Sequence, residues 1–111
     1  MTRARIEVDH SARAAYIDLG TESRGVASTV EVSPTINVDL DEFGMAVGVE
    51  LLSLSLRSLP LADLWAKCHF RDEHAALIEE NLPAILELLA GGQVSSATQG
   101  ETSSVGGFQL A

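Results

Sequence analysis

The sequence predicts an α+β fold: an N-terminal antiparallel sheet of about five strands, then two or three C-terminal helices and a flexible tail. Three observations carry that expectation. Apolar and polar residues alternate through most of residues 1–57, the period of a half-buried strand. From residue 58 the apolar spacing changes to three and four, the period of a helix face. From Gly91 the chain reads GGQVSSATQGETSSVGGFQLA, small and polar with a single charge at Glu101, the composition of a flexible tail.

The strands follow in order. Ile6 and Val8 alternate with Arg5, Glu7 and Asp9; Ala15, Ile17 and Leu19 alternate with Tyr16 and Asp18. Val30 and Val32 alternate with Thr29 and Glu31, and Ile36, Val38 and Leu40 with Asn37, Asp39 and Asp41. Met45, Val47, Val49 and Leu51 complete the set against Ala46, Gly48 and Glu50. One apolar and one polar face describe a sheet covered on one side. Breaks fall on turn residues: His10-Ser11, Gly20 to Gly25, Ser33-Pro34, and Asp41 to Gly44, a tight hairpin in which Gly44 takes positive φ.

At Leu51-Leu52 the alternation changes phase, because Leu52, Leu54 and Leu56 are even-numbered. A continuous strand needs an inserted residue to do this, so a β-bulge or sharp bend is expected there. A helix starting near Leu52 competes, since Leu52, Leu56 and Leu59 also fit helical spacing. Beyond it, Leu61, Leu64, Trp65 and Cys68 form one helical stripe, with Pro60 suited to its first turn and Asp63 near the positive end of its dipole. A second stretch runs from Asp72 to Ala90 with Ile78, Leu82, Ile85, Leu86 and Leu89 on one face. Pro83 should kink or divide it, and Asn81 could cap the second piece. Residues 1–90 are expected as one domain, 1–57 its sheet part and 58–90 its helical part, with 91–111 the tail. Phe108 and Leu110 could dock on a groove or add an edge strand to a partner.

The chain of 111 residues carries seven basic and sixteen acidic residues, a formal charge of −9. Residues 1–30 balance four against four, and residues 31–90 hold three bases and eleven acids. Such acidity argues against nucleic-acid binding and against attachment to anionic membranes. Aromatics make up 5%, too few for a base-stacking platform. A single cysteine, Cys68, permits no internal disulfide, and the start MTRARIEVD has no apolar core of a secretory signal. No segment is apolar enough to span a bilayer. A cytoplasmic protein is the expectation.

Four constellations invite a chemical reading. Asp39-x-Asp41-x-x-Gly44, with Glu50 eleven residues after Asp39, overlaps the calcium-loop spacing, but Phe43 stands where an oxygen ligand is needed and the flanks read as strands. Cys68, His69, Asp72, Glu73 and His74 cluster in seven residues; a continuous helix would put His69 and Glu73 on one face, yet a metal would need further ligands. Asp9, His10 and Ser11 supply the residue types of a hydrolase triad, but adjacent residues point apart and read as a turn. The acid pairs Asp41-Glu42, Asp72-Glu73 and Glu79-Glu80 read as a solvated rim. No catalytic, cofactor or metal residues are assigned.

The segment from Ile6 to Ser55 resembles the small bacterial family known as domain of unknown function 2283. The match stands as VDHSARAAYIDLG, with Tyr16, Ile17 and Leu19 in place, and as EVSPTINVDLDEFGMAVGVELLSLS; VDLDEFGMAVGVELL is its most specific part. The chain departs at Thr35, where the family more often has a glycine or another small turn residue. The resemblance implies a compact β-rich domain and supplies no catalytic residues. An association of some members with small toxin-like proteins implies an antitoxin or partner-binding role.

The expected function is therefore a non-enzymatic, protein-binding or oligomer-forming module, with a homodimer among its forms and an acidic neutraliser of a basic partner as its specific version. Glu79, Glu80 and Glu87 are the surface expected to meet that partner. The alternative is a small ligand- or metal-binding protein or enzyme with a site assembled between protomers, for which Asp39, Asp41 and Glu50 are candidates. No cofactor is expected.

Overall fold

A computed structural model describes residues 4–20, 25–91, 103–105 and 108–110. Five strands come first: β1 (Ala4–Asp9), β2 (Ala14–Asp18), β3 (Ser28–Ser33), β4 (Ile36–Leu40) and β5 (Ala46–Leu51). Three helices follow, α1 (Leu61–Lys67), α2 (Asp72–Glu80) and α3 (Leu82–Leu89), then β6 (Ser103–Val105) and β7 (Phe108–Leu110). The sheet order is β3-β4-β5-β2-β1-β7-β6. The first five strands pair antiparallel throughout, joining β2 to β5 across the middle. The α+β expectation and its five alternating strands describe this body.

Alternation decides what each face holds. Ile6, Ile17, Val38, Val49, Ile36 and Leu51 point to one face and are buried with Leu64, Cys68, Ile78, Ile85 and Leu89 from the helices. That single core is the main stabilising feature, since apolar area removed from water contributes about 25 cal/mol per Å². Among the described residues no helix is long and apolar enough to cross a membrane.

The β4–β5 hairpin closes as its sequence directs. Gly44 has φ +81° and its N–H donates to the Asp41 carbonyl at 3.0 Å. The phase change at Leu51-Leu52 is the sharp bend of the two expected forms and not a bulge, and no helix starts there. β5 ends at Leu51, and residues 52–60 bend out of the sheet without regular structure until α1. The Leu52 N–H donates to the Thr35 carbonyl at 2.7 Å, leaving its side chain exposed while Leu54 and Leu56 pack against the core. A strand's parity no longer applies once the chain has left the sheet. The irregular registers lie elsewhere, between Glu31 and Ser33 and between Asp39 and Leu40.

Pro83 divides the second helical stretch as expected, falling in the first turn of α3. Asn81 acts differently from the cap proposed for it: its side-chain amide donates to the Leu77 carbonyl at 2.8 Å, closing the end of α2, and it makes no side-chain cap for α3. Most of the segment read as a tail lies outside the described residues. Its described parts are strands: β6 and β7 pair with each other, and β7 runs parallel to β1, placing Ala4, Arg5 and Ile6 opposite Phe108, Gln109 and Leu110.

Candidate functional site

The helices cover one face of the sheet; the other is open, and its side chains are set by register. One row across the strands reads Arg5, Asp18, Gly48, Asp39, Thr29, and the next reads Glu7, Tyr16, Glu50, Asn37, Glu31. Five carboxylates and one guanidinium thus share a face built on five paired strands. None of the five is buried.

Tyr16 organises this face. Its ring lies over Gly48, the diagonal neighbour on β5, where any Cβ would collide with the phenol. Only glycine lets the ring lie that close to the strand. The Tyr16 hydroxyl donates to Asp39 Oδ2 at 2.9 Å, and the Thr29 hydroxyl donates to Asp39 Oδ1 at 2.7 Å. Asn37 donates to Glu50 Oε1 at 3.2 Å. The phenol's pKa is pushed well above its ordinary value, first by burial, then by the hydrogen bond and charge of Asp39 and by Asp18 and Glu50. Tyr16 therefore remains a protonated donor. Beside it lies an open cavity of about 500 Å³ lined by Glu7, Asp9, His10, Ser11, Tyr16 and Glu50.

The structure separates the residues that sequence spacing had grouped. Asp39 and Glu50 share the open face, but Asp41 turns inward and is buried; its Oδ1 accepts from the N–H groups of Phe43 at 2.8 Å and Met45 at 3.0 Å. It is a hairpin-shaping residue. Asp9 caps the β1–β2 turn by accepting from the Ala12 N–H at 3.0 Å, and His10 and Ser11 sit at the cavity rim beside it. His69 and Glu73 fall on no common helix, because α1 ends at Lys67 and α2 begins at Asp72. The His69 backbone instead bridges to Met45, its carbonyl accepting from Ala46 N–H at 2.8 Å. Among the described residues no group of three or more His, Cys, Asp or Glu side chains is arranged to hold a metal ion. Cys68 is buried, and burial pushes its thiol pKa up, away from a nucleophilic thiolate. Glu79, Glu80 and Glu87 are all exposed on the helical layer.

His74 is the one buried histidine among the described residues. It is 4% exposed, and its Nδ1 has no hydrogen-bond partner. Burial lowers its pKa below the ordinary 6.5, outweighing the opposing pull of Glu73. The unfolded chain then binds more protons than the native one in mildly acid solution, so stability is full above about pH 6.5 and falls as pH drops below it. Thermal melts through that range should show this slope in the wild type and a flatter one in His74→Leu. An equal slope in both would assign the acid sensitivity to the carboxylates.

Sequence reasoning reached Asp39 and Glu50 but missed the Tyr16–Gly48 pair and the alignment with Glu7, Asp18 and Glu31, because these depend on which strands pair. The available signals were a tyrosine in the polar phase of β2 and a glycine in the polar phase of β5.

Residues 5–55 match the model of a family described as a protein of unknown function (DUF2283). The match covers the five-stranded body and stops in the bend after β5, leaving out the helices. No curated protein and no solved structure matches the chain.

Proposed function

We propose, for a chain whose residues 5–55 belong to the DUF2283 family of unknown function, that it is a non-enzymatic protein-interaction module whose open sheet face docks a basic protein. One observation carries this reading: among the described residues, Glu7, Asp18, Glu31, Asp39 and Glu50 share two rows of one face with Arg5 as the single cation in those rows. A rigid surface of one sign steers an oppositely charged partner and fixes its orientation. Tyr16 adds an aromatic face beside these carboxylates, suited to a lysine or arginine side chain. In the specific form of the reading, the protein neutralises a basic, toxin-like partner in the cytoplasm. Glu79, Glu80 and Glu87 form a second acidic patch on the helical layer and serve as the comparison surface.

Pull-down from the source cell at low and high salt tests the reading. A stoichiometric basic partner should be held at low salt and released at high salt. A Glu7→Gln/Glu50→Gln variant should lose it, and Glu79→Gln/Glu80→Gln/Glu87→Gln should keep it. Capture that ignores salt, or that survives neutralisation of the sheet face, counts against the proposal.

The cavity beside Tyr16 favours a second reading, a site for a small cationic ligand between the β1–β2 turn and β5. Thermal-shift screening with divalent metals and small diamines separates the two. A shift removed by Glu7→Gln/Glu50→Gln supports the ligand site, and no shift with any of them disposes of it.

A further inference from the structure

We propose that β1 is a self-recognition edge: two copies of this chain join by antiparallel β1–β1 pairing about a two-fold axis through Ile6, in competition with the chain's own β7. This goes beyond docking on the sheet face, because it uses the strand's edge and a second copy.

β1 reads Ala4-Arg5-Ile6-Glu7-Val8-Asp9. Along the polar face the charge is positive at residue 5 and negative at residues 7 and 9. Such a strand is complementary to itself when reversed. With Ile6 opposite Ile6 of the second copy, Arg5 faces Glu7 and Glu7 faces Arg5, and Ala4 faces Val8. Each of these polar positions meets the opposite charge, and each apolar position meets an apolar one. Facing residues in an antiparallel pair share a face. The two cores therefore stay on one side of the joined sheet and the two acidic faces merge on the other. A two-fold contact needs this self-complementarity.

β3, the opposite edge of the five-stranded body, does not offer the same contact. β3 is irregular between Glu31 and Ser33, so Val32 is left out of the pairing with β4. The Lys67 ammonium donates to the Val32 carbonyl at 3.2 Å. A bulge and a lysine are the features that blunt an edge strand. β3 also carries only Glu31 as a charge, which would confer no complementarity.

The β1 edge is held in the single chain by three residue pairs with β7, all parallel. The two-copy register pairs residues 4 through 8 of each strand, in the antiparallel geometry that is the more stable per residue. Binding a second copy requires β7 to leave, so the C-terminal hairpin sets the affinity.

Light scattering on the full chain over a concentration series tests this. Arg5 and Glu7 are exposed, so their reversal spares the core. Arg5→Glu and Glu7→Arg each put like charges opposite one another and should raise the dimer dissociation constant by about tenfold or more. The double variant Arg5→Glu/Glu7→Arg should dimerise again, and an equimolar mixture of the two single variants should form a heterodimer. Gln109→Pro, which removes a donor from a strand paired on both sides, should tighten the dimer. The proposal is overturned if the wild type and Gln109→Pro are both monomeric at every concentration. It is equally overturned if a dimer forms that neither single reversal weakens, or if the double variant and the mixture fail to restore it.

Discussion

Replacing Ile17 with alanine should lower the unfolding free energy by about 3 kcal/mol. Ile17 has no exposed surface and lies on β2, paired on one side with Ile6 and on the other with Val49. Truncation removes three carbons from the core cluster and leaves a cavity that the packed neighbours cannot fully collapse to fill. Total stability of a domain this size is on the order of 5–15 kcal/mol, so the variant loses a large share of it. Urea denaturation should show a lower midpoint at an unchanged slope. Leu52→Ala is the internal comparison. Leu52 continues the leucine-rich run of the sequence, but it lies past the end of β5 and is 43% exposed, so its truncation should change stability by less than about 0.5 kcal/mol. Equal losses at the two positions would mean that the sheet continues through residue 52.

The second large effect is at Gly48, where alanine should cost about 2 kcal/mol although alanine is ordinarily the better strand residue by roughly 0.5–1 kcal/mol. The added Cβ would occupy the place of the Tyr16 phenol. The ring must swing away, and the hydrogen bond to Asp39 is lost with it. A hydrogen bond to a charged group contributes about 1.5–3 kcal/mol. The sign of the effect should depend on Tyr16: in a Tyr16→Ala background Gly48→Ala becomes neutral or stabilising. A double-mutant cycle measures this coupling directly. Identical costs in both backgrounds would show that the glycine serves the backbone and not the ring.

Much of the fold was legible because β1, β2 and β4 keep one parity and the helices present an apolar stripe. Ile6, Ile17, Val38 and Val49 occupy the apolar phase of their strands, and all four are in the core. What parity cannot carry is the passage through a turn or out of the sheet. Asp39 and Asp41 share a phase in the sequence, yet the register shifts between Asp39 and Leu40 and the hairpin turns Asp41 inward. Leu52, Leu54 and Leu56 mimic a shifted strand because the bend after Leu51 releases them from any sheet face. The open face was half legible. Each strand announced its own polar residues, but the row Glu7, Tyr16, Glu50, Asn37, Glu31 exists only once β2 pairs with β5, a contact between residues more than thirty apart. Charge counting along the chain picks out Glu79, Glu80 and Glu87 on α2 and α3, whereas the row on the open face appears only when the sheet assembles in space.

That contrast defines the most direct test of the sheet face as the docking surface. The isotopically labelled chain is titrated with an oligolysine peptide, and amide chemical shifts are followed. Shifts should concentrate on Glu7, Tyr16, Asp18, Asp39, Gly48 and Glu50, added salt should reverse them, and Glu7→Gln/Glu50→Gln should abolish them. Shifts concentrated on Glu79, Glu80 and Glu87, or spread evenly over both acidic surfaces, would contradict docking on the sheet face.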